Sequence, residues 1–403
     1  MDRISGLPPF IIHQIMSYLF PKEVAQINIL SKRWNQLRIT FPVFDFDETY
    51  FLTEDESDPI TSVVEENRLA LRLKEFMEFL NASLLRFCDL KFYMHKFRLF
   101  ISVLDVEELV PYIDKWIGLA AEKEVKELDL DILIESDTMD TSYTLPQTIF
   151  YARSVTTLRL VNCKLESISD TIRSNSLRKL LLDEVFINEE MVQKLSSECP
   201  LLEEMSFTEC WGLKRLCVFK ALKLKIMSVS LYRIESIRIE SVEIVLLNLQ
   251  ELRLRFGTVR TPRVFNIVGC LQLKKLFFGG VSLMDQQFHY FISSFPLLED
   301  LILEYCHFLE RITISSNQLK KFELSSCLSM KALDLDTPNL LSFTYKDSPI
   351  PTSCTNVLCP WPIKFDTDFM FDTQSCLKLR EFLGISNQIE DLRIDATPTV
   401  VCV

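Results

Sequence analysis

Glycine is scarce, with 8 residues in 403. Neither Gly-x-Gly-x-x-Gly nor Gly-x-x-x-x-Gly-Lys-Ser/Thr occurs, so the common loops that cradle phosphate on backbone N–H groups are missing and no nucleotide site is indicated. Histidine is scarcer, at positions 13, 95, 289 and 307, each in an apolar or repeat context, and His-Glu-x-x-His and Gly-x-Ser-x-Gly are both lacking. An enzyme is the weakest of the available readings, and no catalytic residue, cofactor or metal is expected. No apolar run approaches the 18 or more residues that a membrane-spanning helix needs, and Met1-Asp2-Arg3-Ile4-Ser5 leads into Pro8 and Pro9 rather than into a signal-peptide stretch. A cytoplasmic or nuclear protein is expected. The 12 Cys include no Cys-x-x-Cys, which in such a compartment predicts reduced, mostly buried thiols.

Positive charge is also in deficit. A net charge of -12 and a pI near 5.1 argue against nucleic acid, whose phosphates are bound by clustered Lys and Arg. The deficit is uneven: Lys214 to Lys275 holds 13 Lys or Arg against 4 Glu, so this stretch is +9 and the remainder -21.

What the chain does have is apolar material, 48% of its residues with 30 Phe among them, arranged in a repeat. Apolar residues at i, i+3 and i+5 recur as Met94/Phe97/Leu99, Val125/Leu128/Leu130, Val155/Leu158/Leu160, Leu177/Leu180/Leu182 and Leu202/Met205/Phe207. The series continues through Leu224/Met227/Val229, Leu249/Leu252/Leu254, Leu273/Leu276/Phe278, Leu298/Leu301/Leu303, Leu319/Phe322/Leu324, Leu340/Phe343/Tyr345 and Ile389/Leu392/Ile394. From Leu158 to Phe343 the middle residues lie 21 to 25 apart, inside the leucine-rich-repeat range. The i+3 and i+5 residues alternate inward on one short strand, and stacked strands form a parallel sheet whose apolar side is buried between coils. Cys163, Cys210, Cys306 and Cys327 each follow the middle residue by five, the Asn-or-Cys position of the pattern, where a small inward side chain suits the bend from strand to loop.

The return segments fall into two kinds. Residues 188–199 and 284–295 have helical apolar spacing and end at Pro200 and Pro296. Others carry a second i, i+3, i+5 set (Leu213/Leu216/Val218, Ile234/Ile237/Ile239, Leu309/Ile312/Ile314 and Met330/Leu333/Leu335), which predicts an extended outer segment. The fold class expected is α/β: a leucine-rich-repeat solenoid, a parallel-sheet horseshoe with helical and extended convex segments, over residues 90–348. Pro349, Pro351, Pro360 and Pro362 predict a loop that breaks the array, leaving 349–403 as a Pro-rich loop and degenerate last repeat or cap.

Residues 1–42 lack the repeat and read as three short helices. Pro8 and Pro9 suit a first turn, and Ile12, Ile15, Met16 and Leu19 then share a face. Pro21 opens a second helix through Val24, Ala25, Ile27 and Leu30, and Ser31 caps a third carrying Trp34 and Leu37. Residues 43–89 form an acidic and helical spacer, whose run Asp45, Asp47, Glu48, Glu54, Asp55, Glu56, Asp58 is expected to be a solvated loop.

The strings Asp2-Arg-Ile-Ser-Gly-Leu-Pro8, Ile12, Ile15, Tyr18-Leu19, Lys22-Glu-Val24 and Leu30-Ser-Lys-Arg-Trp34 resemble the F-box of plant F-box/leucine-rich-repeat proteins, including their FBD-related members. Lys96-Phe-Arg-Leu99, Trp116-Ile117, Val125-Lys-Glu-Leu-Asp-Leu130 and Cys199-Pro-Leu-Leu-Glu203 resemble their spacer and repeats. The resemblance implies a three-helix F-box that docks on the Skp-type adaptor of a cullin-RING ubiquitin ligase, and repeats that select a substrate protein. Leu7, Pro8, Ile12, Ile15, Leu19, Val24, Leu30 and Trp34 would then form or support the adaptor-facing surface. Pro9 stands where the family usually has Asp, and the further C-terminal domain of some relatives is expected to be absent or shortened. The alternative is a leucine-rich-repeat scaffold or ligand sensor not engaged with a ligase.

On the repeat strands, residues between the buried ones face outward. Arg253, Arg255, Lys275 and Phe277 thus make a basic, partly aromatic patch suited to an acidic substrate segment or an anionic small ligand, the competing reading being an ordinary solvated charged surface.

Overall fold

A computed structural model describes residues 4, 6–19, 21–27, 31–51, 62–103, 106–134, 142–168, 170–232, 239–257, 261–346, 348–349, 353–355, 363–366 and 377. The chain divides into two compact units, Met1–Phe186 and Ile187–Val403.

The first unit begins with helices α1 (Pro9–Met16), α2 (Pro21–Gln26) and α3 (Lys32–Ile39). The Ser31 hydroxyl accepts the Trp34 N–H at 3.3 Å, satisfying one of the donors that a helix start leaves unpaired. A parallel sheet follows, ordered Val43–Asp47, Lys96–Val103, Glu127–Ile134, Thr157–Val161, Lys179–Asp183, with helices Ser62–Cys88 and Val106–Glu122 as the first two crossovers. Its register places Phe44, Phe97, Leu128, Leu158 and Leu180 in one row, and Phe46, Leu99, Leu130, Leu160 and Leu182 in the next. The sheet thus starts one strand before the apolar repeat becomes readable. The expected solvated acidic loop is corrected here: Asp45 and Asp47 belong to that first strand, and Glu48, only 9% exposed, accepts the Ser102 N–H at 2.6 Å. Carboxylates that have such partners gain nothing by facing water. Glu54 to Asp58 lie outside the described residues.

The second unit stacks eight parallel strands: Glu204–Thr208, Ile226–Leu231, Glu251–Phe256, Lys275–Gly279, Asp300–Glu304, Lys321–Ser325, Ser342–Lys346 and Ile363–Asp366. Met205, Met227, Leu252, Leu276, Leu301, Phe322 and Phe343 occupy one register row. Across both units, no residue of the eleven i, i+3, i+5 sets from Met94 to Tyr345 is more than 4% exposed. A fully buried Leu contributes roughly 1.5–3 kcal/mol, so these rows are the core. The set at Ile389 lies outside the described residues, as do Ile234 and Ile237.

Return segments follow the two expected kinds. Glu189–Glu198 and Asp285–Ser293 are helices, the first capped by Asn188 accepting the Met191 N–H at 2.9 Å and burying Met191, Val192 and Leu195. Outer strands Arg215–Phe219, Ser241–Val245 and Val264–Val268 pair in parallel, as do Arg311–Ser315, Ala332–Asp336 and Ser353–Thr355. The middle outer strand, Ser241–Val245, buries Val242 and Ile244, so its apolar frame is Ile239/Val242/Ile244, five residues later than the expected set that ends at Ile239.

Cys163, Cys210, Cys306 and Cys327 are completely buried. The residue before each has a left-handed backbone: Asn162 (φ 56°), Glu209 (47°), Tyr305 (54°) and Ser326 (53°), with Gly280 (62°) and Glu184 (51°) equivalent where Val replaces Cys. A non-Gly residue there costs roughly 1–2 kcal/mol. A repeated bond offsets it. The N–H groups of Asn162, Glu209, Gly280, Tyr305 and Ser326 donate to the carbonyls of Asp183, Ser230, Glu304, Ser325 and Lys346, each near the end of the following strand. The thiols of Cys163, Cys306 and Cys327 in turn donate to the carbonyl two residues back.

Candidate functional site

Two surfaces qualify, one on the N-terminal helices and one on the repeat strands. In the first, Ile12, Met16, Ile27, Trp34 and Phe41 form a small core, with Leu7, Ile15, Leu19, Val24, Leu37 and Val43 partly buried against it. Ile12 (0% exposed) and Trp34 (3%) therefore support the surface from beneath. Pro8 is open to solvent at the start of α1, and Leu30 lies outside the described residues. Arg33 donates to the Leu7 carbonyl at 2.8 Å, and the His13 ring shares a 2.9 Å bond with the Leu37 carbonyl, which ties the first segment to α3.

The apolar residues left facing water are different ones. Phe10 is 68% exposed and Tyr18 79%, with Ile4 and Pro8 near the start of the same helix. Phe10 lies four residues before Gln14 and seven before Ser17, both exposed, so together they mark the helix face opposite the core. Sequence periodicity selects the buried stripe and passes over this face, because an exposed aromatic carries no periodic signal. Beside it opens a cleft of about 640 Å³, walled by Leu19 and Val24, by Phe44 and by Phe79 and Phe87 of the long helix, with Arg38 and Lys96 at its polar side.

On the strands of the first unit, outward positions form a charge ladder. Arg98 bonds Asp45 at 2.7 Å and Asp47 at 3.3 Å and lies 3.8 Å from Asp129, which Arg159 contacts at 3.0 Å. Asp131 accepts from Asn162 at 3.1 Å, and burial holds its pKa above the ordinary carboxylate value.

The predicted patch of the second unit is brought together by register: Glu251 lies beside Lys275, Arg253 beside Phe277 and Arg255 beside Gly279. Its cations are partly answered from within. Arg253 contacts Glu251 at 2.6 Å, while Arg255 sits 4.6 Å from the centre of the Tyr232 ring and reaches Glu304, two strands away, at 3.3 Å. Gly279 makes that reach possible, since a Cβ there would stand 3.0 Å from the Arg255 Cγ and 2.9 Å from the Phe277 ring. Lys275 is exposed with no carboxylate in ion-pair range among the described residues. The patch is thus a mixed-charge surface with a cationic surplus, able to make charge-assisted bonds to an acidic segment.

Among the described residues no group of three His, Cys, Asp or Glu could hold a metal, and no helix is long and apolar enough to cross a membrane. Cys88, Cys163, Cys199, Cys210, Cys217, Cys270, Cys306 and Cys327 are free thiols, and all of these but Cys88 and Cys217 are buried.

Residues 113–245 match the family model described as FBD-associated F-box protein At5g56370, LRR repeats, and residues 248–399 match that described as At1g61320/AtMIF1, LRR domain. The chain is 31% identical over 206 residues to the F-box/FBD/LRR-repeat protein At4g00160 of Arabidopsis thaliana, covering 51% of this chain and 40% of that one. It is 31% identical over 210 residues to the FBD-associated F-box protein At5g56370 (52% and 44%) and 28% over 207 residues to the F-box/LRR-repeat protein At4g14096 (51% and 39%), both also from Arabidopsis thaliana. The matched region thus spans about two fifths of these relatives' length. With buried leucine-rich coils in both units and two leucine-rich-repeat models meeting nearly end to end along it, this chain is similar over its repeats to the plant F-box/leucine-rich-repeat proteins.

Proposed function

We propose that the chain is the substrate-recognition subunit of a Skp–cullin–F-box ubiquitin ligase, working in the cytoplasm or nucleus. Its N-terminal helices dock on a Skp-type adaptor, its repeats hold a target protein, and ubiquitin transfer belongs to other subunits. The observation that carries this reading is a pair of exposed aromatics: Phe10 near the start of α1 and Tyr18 just past its end stand in water, while Ile12, Met16 and Trp34 form the core beneath. Exposed aromatics beside a small core are the usual anchors of a protein interface. The adjoining cleft offers a partner helix a second foothold. On the repeats, Arg253, Arg255, Lys275 and Phe277 supply the substrate-facing charge and aromatic surface.

Co-purification of the full chain with a Skp-type adaptor tests this, comparing wild type with Leu7→Ala/Pro8→Ala and with Phe10→Ser/Tyr18→Ser. The second variant spares the core, so loss of the complex with an unchanged melting curve supports the reading. A folded wild-type chain that never retains the adaptor refutes it. That result would favour the scaffold reading, to which Pro9, exposed at the first position of α1 where the family usually has Asp, lends its weight.

A further inference from the structure

Two residues before the first apolar residue of each coil lies a turn position. In the coils starting at 177, 202, 298, 319 and 340 it holds the turn formers Asn175, Pro200, Pro296, Asn317 and Pro338, in those starting at 125 and 155 the charged Lys123 and Arg153, and in the first, starting at 94, Phe92. In the three consecutive coils starting at 224, 249 and 273 it holds Leu222, Leu247 and Leu271. These leucines are 70%, 61% and 54% exposed, so they contribute little to the core, and leucine is not a turn former. Folding gives no reason for them.

Their strands, Ile226–Leu231, Glu251–Phe256 and Lys275–Gly279, are direct neighbours, which puts the three side chains in one row along the strand-entry edge. The Asn248 side-chain amide donates to the Leu222 carbonyl at 2.6 Å, tying the first two turns together. Val245, 38% exposed, widens the row, because a Cβ on Gly269 would lie within 3.6 Å of Leu247 and 3.9 Å of Val245. The same coils hold the +9 stretch. Lys225 and Lys274 face Glu203 and Glu299, at 2.9 and 3.9 Å, but Lys220, Lys223 and Lys275 have no carboxylate within ion-pair distance among the described residues.

The geometry points to this row as a docking site for an acidic amphipathic helix of the captured protein, deepening the substrate-receptor reading on which it rests. Spacing selects a helix. Neighbouring strands lie about 4.8 Å apart, so Leu222 to Leu271 spans about 10 Å. Two helical turns advance about 11 Å, whereas two same-face steps of an extended chain advance about 13 Å. Apolar side chains one turn apart would meet the three leucines, and flanking carboxylates would meet the unanswered lysines.

The test uses the full chain and a fluorescein-labelled 15-residue peptide with Leu at helical spacing and Glu and Ala elsewhere, read by fluorescence anisotropy. Saturable binding is expected, at least about tenfold tighter than for a scrambled peptide of the same composition, because several Leu side chains are buried at once. Leu247→Asp should weaken it about tenfold or more with the melting curve unchanged, and Lys223→Glu/Lys275→Glu should weaken it and flatten its salt dependence. Equal binding of the scrambled peptide, indifference to Leu247→Asp in a folded chain, or no saturable binding overturns the proposal. Leu222→Asp provides the same comparison should Leu247→Asp alter the fold. Adaptor co-purification with Leu247→Asp separates the two readings: retained adaptor with lost peptide binding removes nothing from the ligase assignment, and peptide binding without adaptor capture leaves the row standing alone.

Discussion

Glu189 opens the first convex helix of the second unit, and its carboxylate accepts the N–H groups of Lys214 and Arg215 at 3.0 and 3.1 Å, at the start of the next outer strand. Asp285 repeats the arrangement with Glu310 and Arg311 at 2.9 and 3.2 Å, again 25 and 26 residues on. Each acid thus serves two ends at once, complementing its helix dipole and pairing the edge of an outer strand. Replacing Glu189 with Ala removes two charge-assisted bonds, nominally roughly 1.5 kcal/mol each, and partial exposure brings the total to about 1–2 kcal/mol. For a unit of this size that corresponds to a melting decrease of about 2–8 °C, with Glu189→Gln intermediate because its amide oxygen still accepts. The pH dependence has a definite sign. Burial pushes the Glu189 pKa up, but donation by the N–H groups of Glu189, Lys214 and Arg215 outweighs it and holds the carboxyl below its ordinary value of 4.5. The stabilisation is therefore complete above that value and lost as the pH falls through the lowered folded pKa. Differential scanning of wild type and Glu189→Ala at neutral pH and at about pH 3 checks both parts. Identical melting at neutral pH, or a gap undiminished in acid, refutes the reasoning.

Leu252, wholly buried at the centre of its register row, should cost about 2–5 kcal/mol as Leu252→Ala, read as a lower urea midpoint. Asp131→Asn should match or exceed wild-type stability at neutral pH and lose that advantage in acid, because burial raises the native carboxyl pKa and its ionisation opposes folding; melting across a pH series decides. Maleimide mapped by mass spectrometry should modify half-buried Cys88 and Cys217 well before buried Cys163, Cys199 and Cys306, burial having pushed the Cys199 thiol up to about 12; early labelling of Cys163 would contradict its packing.

The strand rows were legible because a buried coil forces identical spacing on every copy, and the inward Cys positions because they keep that frame. Two classes of feature left no periodic trace. Val43–Asp47 joins the sheet with alternating Phe and Asp, and only Arg98, far along the chain, explains why those acids sit on a strand. The left-handed residues before the Cys positions include a single Gly among six, so the usual signal for that backbone was missing. At the candidate sites, sequence identified the residues that build the N-terminal core but not Phe10 as the aromatic left open, and it placed Arg253 and Arg255 outward without their partners Glu251, Glu304 and Tyr232.

The bonds from the N–H groups of Asn162, Glu209, Gly280, Tyr305 and Ser326 all run one way, from a coil to the strand that comes later in the chain. A ribosome delivers the donor first. Until the next twenty or so residues have emerged, Tyr305 or Ser326 holds an unfavourable backbone with no acceptor, and its coil is incomplete although every one of its own residues has been made. Synthesis therefore closes this array one coil in arrears, and the newest coil at any moment is the one open to chaperone or protease.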